Sequence, residues 1–421
     1  MNREDLIRRG YEYARDVYAE LGVDVQAAMD KADSIPVSMH CWQGDDVAGF
    51  DGADSLSGGI AVTGNYPGRA RNFEELTQDI STAFQLIPGR KKLNLHACYA
   101  VKDGRKVDRD GYTIREFAPW VDFAKAYKVG LDFNPTYFSH PMMDGDLSLS
   151  SPDADTRRFW VEHGKRCREI GAAFAEELAQ PCVINFWMPD GTKDTCANTR
   201  AFRERMTASL DEIFADRSGL EKVPCALESK LFGMGVESFT VVSHEYALGY
   251  AMKNGLTACL DTGHFHPTEM VSMKVSAVMS FVQSMLLHIS RPVRWDSDHV
   301  VALDDELQRI MDEIIWNGYQ DRVYIGLDYF DASINRIAAW AIGMRNARKA
   351  LLSAMLAPSK QIREAEAAGD ATMRLTLLEE RRTLPLGAVW DHYCLTRGIP
   401  ADGEWMQRIQ QYETDVLSKR S

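Results

Sequence analysis

The stretch LTACLDTGHFHP at residues 256–267 opens on a short apolar run, and MLLHISRPVRWDSDHV at 285–300 opens on a second one. A helical pattern separates them. Short apolar runs of this kind are typical of buried strands. A strand, a helix and another strand in this order predict a parallel pair of strands. Five groups able to bind a metal lie in or just beyond the two runs: Asp261, His264, His288, Asp296 and Asp298.

The same strand–helix unit recurs along the chain. Strand-like runs lie at 36–42, 92–99, 130–138, 181–189, 223–229, 256–263, 285–290 and 323–330. One of the intervening helices is expected to open at Ser151 and Pro152, with the serine as its cap, and to run to about Ala179. Eight alternating strands and helices predict an α/β fold, specifically a closed (β/α)8 TIM barrel.

The segments outside this repeat are expected to be helical or loop-like. Residues 3–30 predict one or two N-terminal helices, which we group with the barrel in residues 1–357. The charged residues 358–421 predict a helical C-terminal extension, packed on the barrel or on a neighbouring subunit. Residues 43–72 hold seven glycines and show little periodicity. They predict either a lid loop over an active site or a disordered insertion.

Composition excludes several classes of partner. The chain has 421 residues and a formal net charge of -13, which argues against a nucleic-acid partner because phosphate binding requires a basic surface. Neither a signal peptide nor a run of about 18 apolar residues is found, so we expect no membrane partner. The eight cysteines form no CxxC pair, which is typical of a reduced, cytoplasmic protein.

Active sites of barrels lie at the carboxyl ends of the strands. The ligand-type residues expected there are Glu228, Asp261, His264, His288, Asp296, Asp298 and Asp328. Five clustered carboxylates repel one another unless cations neutralise them, which predicts one divalent metal ion and favours two. Oxygen and nitrogen ligands without sulfur suit Mn²⁺, Mg²⁺ or Co²⁺, with Zn²⁺ as an alternative. Taken singly, the histidine at 288 could be a core residue and each aspartate a helix cap; the convergence of the set carries the prediction.

Several longer strings resemble the L-rhamnose isomerase family of xylose-isomerase-like barrels. The strings are SMHCWQGDDV at 38–47, TGNYPG at 63–68, LNLHACY at 93–99, LDFNPTYFSHP at 131–141, NFWMPDG at 185–191, ESKLFG at 228–233, LDTGHFHP at 260–267, WDSDHV at 295–300 and GLDYFDASINRIAAW at 326–340. The resemblance implies an aldose–ketose isomerase that converts L-rhamnose to L-rhamnulose. It also implies two divalent cations, usually Mn²⁺, and a homotetramer.

The resemblance also implies roles for individual residues. The ligands of a first metal would be Glu228, Asp261, His288 and Asp328. Asp261 would bridge to a second metal, which His264, Asp296 and Asp298 complete. Lys230 is similar to the family lysine that contacts sugar oxygens near C1, Trp187 to an aromatic wall, and His96 to a histidine at the rim. The expected catalytic residues are Asp328, Lys230 and His264.

Two routes could move hydrogen between C1 and C2 of a sugar: an enediol formed by a general base, or a direct hydride shift. No histidine or glutamate outside the ligand set is an obvious base, which favours a metal-assisted hydride shift. Val47 and Leu56 are candidate contacts for the methyl group of L-rhamnose, or they only pack the loop. The alternatives are an isomerase or epimerase for another sugar, a barrel phosphodiesterase, and a non-catalytic sugar-binding protein.

Overall fold

The computed structural model describes residues 2–52, 60, 62–230, 238–401 and 403–420, without the side chains of 295 and 296. Its centre is a closed barrel of eight parallel strands. They are β1 (Val37–His40), β2 (Lys91–His96), β3 (Gly130–Asn134), β4 (Ile184–Trp187), β5 (Cys225–Glu228), β6 (Thr257–Asp261), β7 (Met285–Ile289) and β8 (Val323–Leu327). Each strand pairs with the next one along the chain, and β8 pairs with β1 to close the barrel. The predicted (β/α)8 fold is confirmed.

A helix follows every barrel strand. These helices are α3 (Phe73–Phe84), α4 (Ala118–Tyr127), α5 (Ala154–Leu178), α6 (Thr199–Ile213), α7 (His244–Asn254), α8 (Ser272–Met279), α9 (Asp305–Trp316) and α10 (Arg336–Leu356). Two helices precede the barrel, α1 (Arg3–Glu20) and α2 (Val25–Ser34). Four follow it: α11 (Ser359–Ala367), α12 (Ala371–Glu380), α13 (Leu386–Thr396) and α14 (Glu404–Asp415). None of the described helices is both long enough and apolar enough to cross a bilayer.

The predicted start of α5 was wrong. Its N-cap is Asp153, whose side chain accepts a hydrogen bond from the Thr156 backbone N–H at 2.7 Å. The Ser151 hydroxyl donates instead to Asp144 at 2.6 Å and accepts from the Asp153 N–H at 3.0 Å. Because two polar residues compete for the capping position, the serine forms a local turn and the aspartate caps the helix.

Two N-terminal helices and α13 pack together against α10. Tyr18 and Met29, from α1 and α2, share an apolar cluster with Trp390 and Tyr393 of α13 and with Leu352 of α10. The expectation that the C-terminal extension is helical and packs on the barrel is confirmed. The division of the chain at residue 357 stays a prediction.

The glycine-rich segment 43–72 lies close against the barrel in its described parts. Gly64 has a φ of +113°, and a Cβ there would lie 2.3 Å from the carbonyl carbon of Ala332. Gly49 has a φ of +68°, and a Cβ there would lie 2.9 Å from the backbone oxygen of Cys98. The glycines at these two positions are therefore required by a close backbone approach and a left-handed conformation. The role of the segment as a lid stays a prediction.

Candidate metal centre and sugar pocket

A pocket opens at the carboxyl ends of the barrel strands. It is lined by nine of the predicted site residues: Val47, His96, Trp187, Glu228, Lys230, His264, His288, Asp298 and Asp328. It is also lined by six residues to which the sequence assigned no role: Trp42, Ile60, Asn134, Phe138, Asn185 and Phe330. Leu56 lies outside the described residues, and so does the side chain of Asp296.

Four of the predicted ligands form one tight cluster. Ligand atoms of Glu228, Asp261, His288 and Asp328 all lie within 4.8 Å of one another. Strand register explains this arrangement, because Asp261 at the end of β6 lies directly beside His288 on β7. The Nδ1 atom of His288 lies 3.1 Å from Glu228 Oε2 and 3.2 Å from Asp328 Oδ2. It has no hydrogen bond of acceptable geometry to any described residue, as expected for an imidazole that faces a metal position.

Cys259 is the other ligand-type residue beside this cluster. Burial raises the pKa of its thiol well above the ordinary value, and the neighbouring Glu228 and Asp261 raise it further. Cys259 also shares a buried apolar cluster with Val183, Ala226 and Leu286, so this cysteine acts as a small buried side chain. The donor set is therefore three carboxylates and one imidazole, which fits a hard or borderline divalent cation.

Each carboxylate of the cluster is oriented by a neighbouring donor. The Trp42 indole Nε1 donates to Asp328 Oδ1 at 3.0 Å, and the Gly263 N–H donates to Asp261 Oδ1 at 2.6 Å. The side-chain amide of Asn185 donates to Glu228 Oε2. Such donors fix the direction of metal ligands and tune their affinity. The sequence reading missed Trp42 and Asn185, because neither residue type signals a metal site until the strands are placed.

The electrostatics of the cluster show a shortage of positive charge. Burial lowers the pKa of His288, but the charges of Glu228 and Asp328 outweigh it and hold that pKa well above its ordinary value. Burial likewise raises the pKa of Asp328, but contact with His288 outweighs it and brings that pKa to about 2. Three clustered carboxylates around one imidazole, two of them buried, need further compensation, which a divalent cation would supply.

The residues expected at a second metal lie beside the first group. His264 is 6% exposed, and its Nδ1 lies 3.4 Å from Glu228 Oε1. Asp298 lines the same pocket and has a left-handed φ of +48°. The assignment of these two residues, with Asp296, to a second metal stays a prediction.

Part of the pocket wall is aromatic. The Lys230 Nζ lies 5.0 Å from the centroid of the Trp187 ring, within range of a cation–π contact. His96 packs edge-on against Trp42 at 4.8 Å and against Phe138 at 5.5 Å. Burial lowers the pKa of His96 to about 3, so its imidazole is neutral and can donate one hydrogen bond and accept another.

Fold and site together define a barrel enzyme with a candidate metal centre beside an aromatic pocket. The family model described as L-rhamnose isomerase (RhaA) matches residues 5–420. An L-rhamnose isomerase from Rhodopirellula baltica is 54% identical over 422 residues, which cover 100% of this chain and 99% of that protein. One from Mannheimia succiniciproducens is 54% identical over 415 residues, covering 98% and 99%. The chain belongs to the L-rhamnose isomerase family, as the sequence motifs predicted, and it is an enzyme.

Solved structures resemble the chain more distantly. A structure of L-ribulose 3-epimerase has a TM-score of 0.48 and 13% identity, and covers 79% of this chain and 97% of its own. A putative xylose isomerase from Rhodospirillum rubrum has a TM-score of 0.44 and 12% identity, and covers 69% and 98%.

Proposed function

We propose that this protein interconverts L-rhamnose and L-rhamnulose. The observation that carries the proposal is the position of the four-ligand cluster. Glu228, His288 and Asp328 line the same pocket as the Trp187 wall and Lys230. The family match covers residues 5–420, so it includes every residue that lines this pocket.

We further propose two divalent cations, Mn²⁺ in the first instance, with Zn²⁺, Co²⁺ or Mg²⁺ as alternatives. Glu228, Asp261, His288 and Asp328 would hold one, and Asp261, His264, Asp296 and Asp298 the other. Bound cations of this kind act as Lewis acids on the sugar oxygens and orient the substrate.

The chain's own residues bind and orient the sugar. Lys230 presents an ammonium group to the pocket from above the Trp187 ring, where it can donate hydrogen bonds to oxygens near C1 and stabilise charge that develops there. Neutral His96 offers a donor and an acceptor to a sugar hydroxyl. Trp187, Phe138 and Val47 exclude water from the apolar side of the pocket.

Hydrogen would move between C1 and C2 as a hydride. Apart from Lys230 and the expected metal ligands, His96 is the titratable residue among the described residues that line the pocket. Its pKa of about 3 makes it a weak base, which supports the hydride route over an enediol. Turnover in D₂O checks this: a hydride shift leaves the transferred position free of solvent deuterium, and extensive labelling there would contradict it.

The test of the function is a metal titration. Protein stripped with a chelator should form no ketose from L-rhamnose, and activity should return as Mn²⁺ is added. Parallel titrations with Zn²⁺, Co²⁺ and Mg²⁺ rank the metals.

An aldose product would indicate an epimerase instead, and cleavage of abasic DNA would indicate a phosphodiesterase. An Asp298→Asn variant with full isomerase activity would contradict the second-metal assignment.

We also propose that the protein is a cytoplasmic homotetramer. The eight cysteines are free, and all but Cys196 are buried, which is typical of a protein in a reducing compartment. Light scattering on the purified protein should give four times the chain mass of 47.4 kDa. Cell fractionation should place the protein in the soluble cytoplasmic fraction.

A further inference from the structure

Arg336 joins the two ends of the glycine-rich segment 43–72. It is the first residue of α10, and it is 5% exposed. Its Nε and Nη2 atoms donate to the two carboxylate oxygens of Asp46, each at 2.7 Å. Its Nη1 atom donates to the backbone oxygen of Tyr66 at 2.7 Å. A single buried guanidinium therefore binds residues near the start and near the end of the segment.

The residue next to Asp46 has a strained backbone. Val47 has a φ of +61°, and Asp46 itself has a φ of +58°. A β-branched residue rarely adopts this left-handed conformation, which persists only where the surroundings impose it. Val47 is 4% exposed, and its side chain lines the pocket beside the aromatic wall.

The two aspartates that precede Val47 are both held by hydrogen bonds. Asp45 accepts hydrogen bonds from the Tyr99 hydroxyl at 2.6 Å and from the Gly49 N–H at 2.8 Å. Asp46 accepts from the Nε and Nη2 atoms of Arg336. A bidentate pair fixes the direction of a carboxylate as well as its position, which a point charge does not. Tyr99 follows β2 and Arg336 begins α10, so the two anchors come from two different strand–helix units.

We propose that Arg336 is a specificity-determining positioning residue: by fixing Asp46, it holds Val47 in the left-handed conformation and so sets the apolar shape of the sugar pocket. The proposal rests on the function proposed above. Arg336 does not line the pocket. Its effect on substrate choice is expected to pass through Val47, which follows Asp46 directly and does line the pocket.

The test compares Arg336→Lys with a matched control. Arg381 makes the same kind of buried bidentate pair with Asp312, but neither residue lines the sugar pocket. The readout is kcat/KM for L-rhamnose divided by kcat/KM for L-lyxose, the pentose that corresponds to L-rhamnose without its methyl group. Contacts with a methyl-sized group are worth about tenfold or more. Arg336→Lys should lower this ratio by about tenfold, whereas Arg381→Lys should lower the melting temperature and leave the ratio unchanged.

A second pair of variants shows whether Val47 transmits the effect. Val47→Ala removes the apolar contact, so adding Arg336→Lys to it should change the ratio little more, and the two changes should be non-additive. Asp46→Asn removes the charged partner and should reproduce the effect if Arg336→Lys does not fold.

Two outcomes distinguish a failure of the proposed function from a failure of the role proposed for Arg336. If the wild-type protein forms no L-rhamnulose with added Mn²⁺, the proposed function fails. If it does, but Arg336→Lys and Asp46→Asn change the ratio no more than Arg381→Lys, the role of Arg336 is overturned. Full additivity with Val47→Ala would also overturn it.

Discussion

Replacing Trp42 by phenylalanine should weaken metal binding while leaving the pocket wall in place. The change removes the indole N–H that donates to Asp328 Oδ1 at 3.0 Å, and it keeps an aromatic ring beside His96. A hydrogen bond to a charged group contributes about 1.5–3 kcal/mol. The Asp328 side chain is 23% exposed, so water can partly replace the lost donor. We therefore expect the lower end of that range, which corresponds to about a tenfold weaker affinity for the metal.

The assay is a direct metal titration of stripped protein, by calorimetry or by the electron paramagnetic resonance signal of free Mn²⁺. Trp160→Phe is the control, because its indole N–H donates to the backbone oxygen of Met142 at 3.1 Å and contacts no expected ligand. Both variants lose one partly buried hydrogen bond, but only Trp42→Phe should shift the dissociation constant. Equal affinities in the wild type and the Trp42→Phe variant would refute the view that this indole orients Asp328.

Three further changes test other parts of the structure. Asn185→Leu should weaken metal binding about 100-fold, since the Glu228 side chain is only 2% exposed and water cannot replace the amide; a loss no larger than that of the Trp42 variant would contradict this. Burial raises the pKa of Asp45 from 3.8 to about 7, so its contribution to stability is present at low pH and is lost as pH rises through that value. The melting temperature of Asp45→Asn should therefore rise relative to wild type between about pH 4 and pH 7, and a constant difference would count against the raised pKa. Gly64→Ala should cost roughly 3 kcal/mol or more in unfolding free energy, because a Cβ there meets backbone at 2.3 Å, whereas Gly22→Ala, with open space around it, should cost about 1 kcal/mol.

The clustering of the four expected ligands was predictable because strand order dictates it. Parallel strands end at one edge of the barrel, so a carboxylate at the end of β6 and an imidazole on β7 must meet once the strands are recognised. Asp261 and His288 could thus be placed together from their positions after apolar runs. The same reasoning brings Glu228 from β5 and Asp328 from the end of β8 into the cluster.

The groups that orient the cluster were not predictable in the same way. Trp42 reaches Asp328 across 286 positions in the chain, and Asn185 reaches Glu228 across 43. Tryptophan and asparagine have many structural uses, so their identity does not signal a contact with a metal ligand. The prediction for the start of α5 was wrong for a different reason. Ser151 and Asp153 are both favourable N-cap residues, and only the turn formed by the serine decides which of them caps the helix.

The closure of the barrel links the metal centre to the shape of the pocket. Because β8 pairs with β1, the turn that follows each strand lies beside the other. Three sets of hydrogen bonds join these two turns in order: Trp42 to Asp328, Gln43 to the backbone of Asp331 in both directions, and Asp46 to Arg336. The first orients an expected metal ligand, and the last holds the residue before Val47. Since both effects pass through the same pair of turns, a change that moves a whole turn should alter metal affinity and sugar preference together.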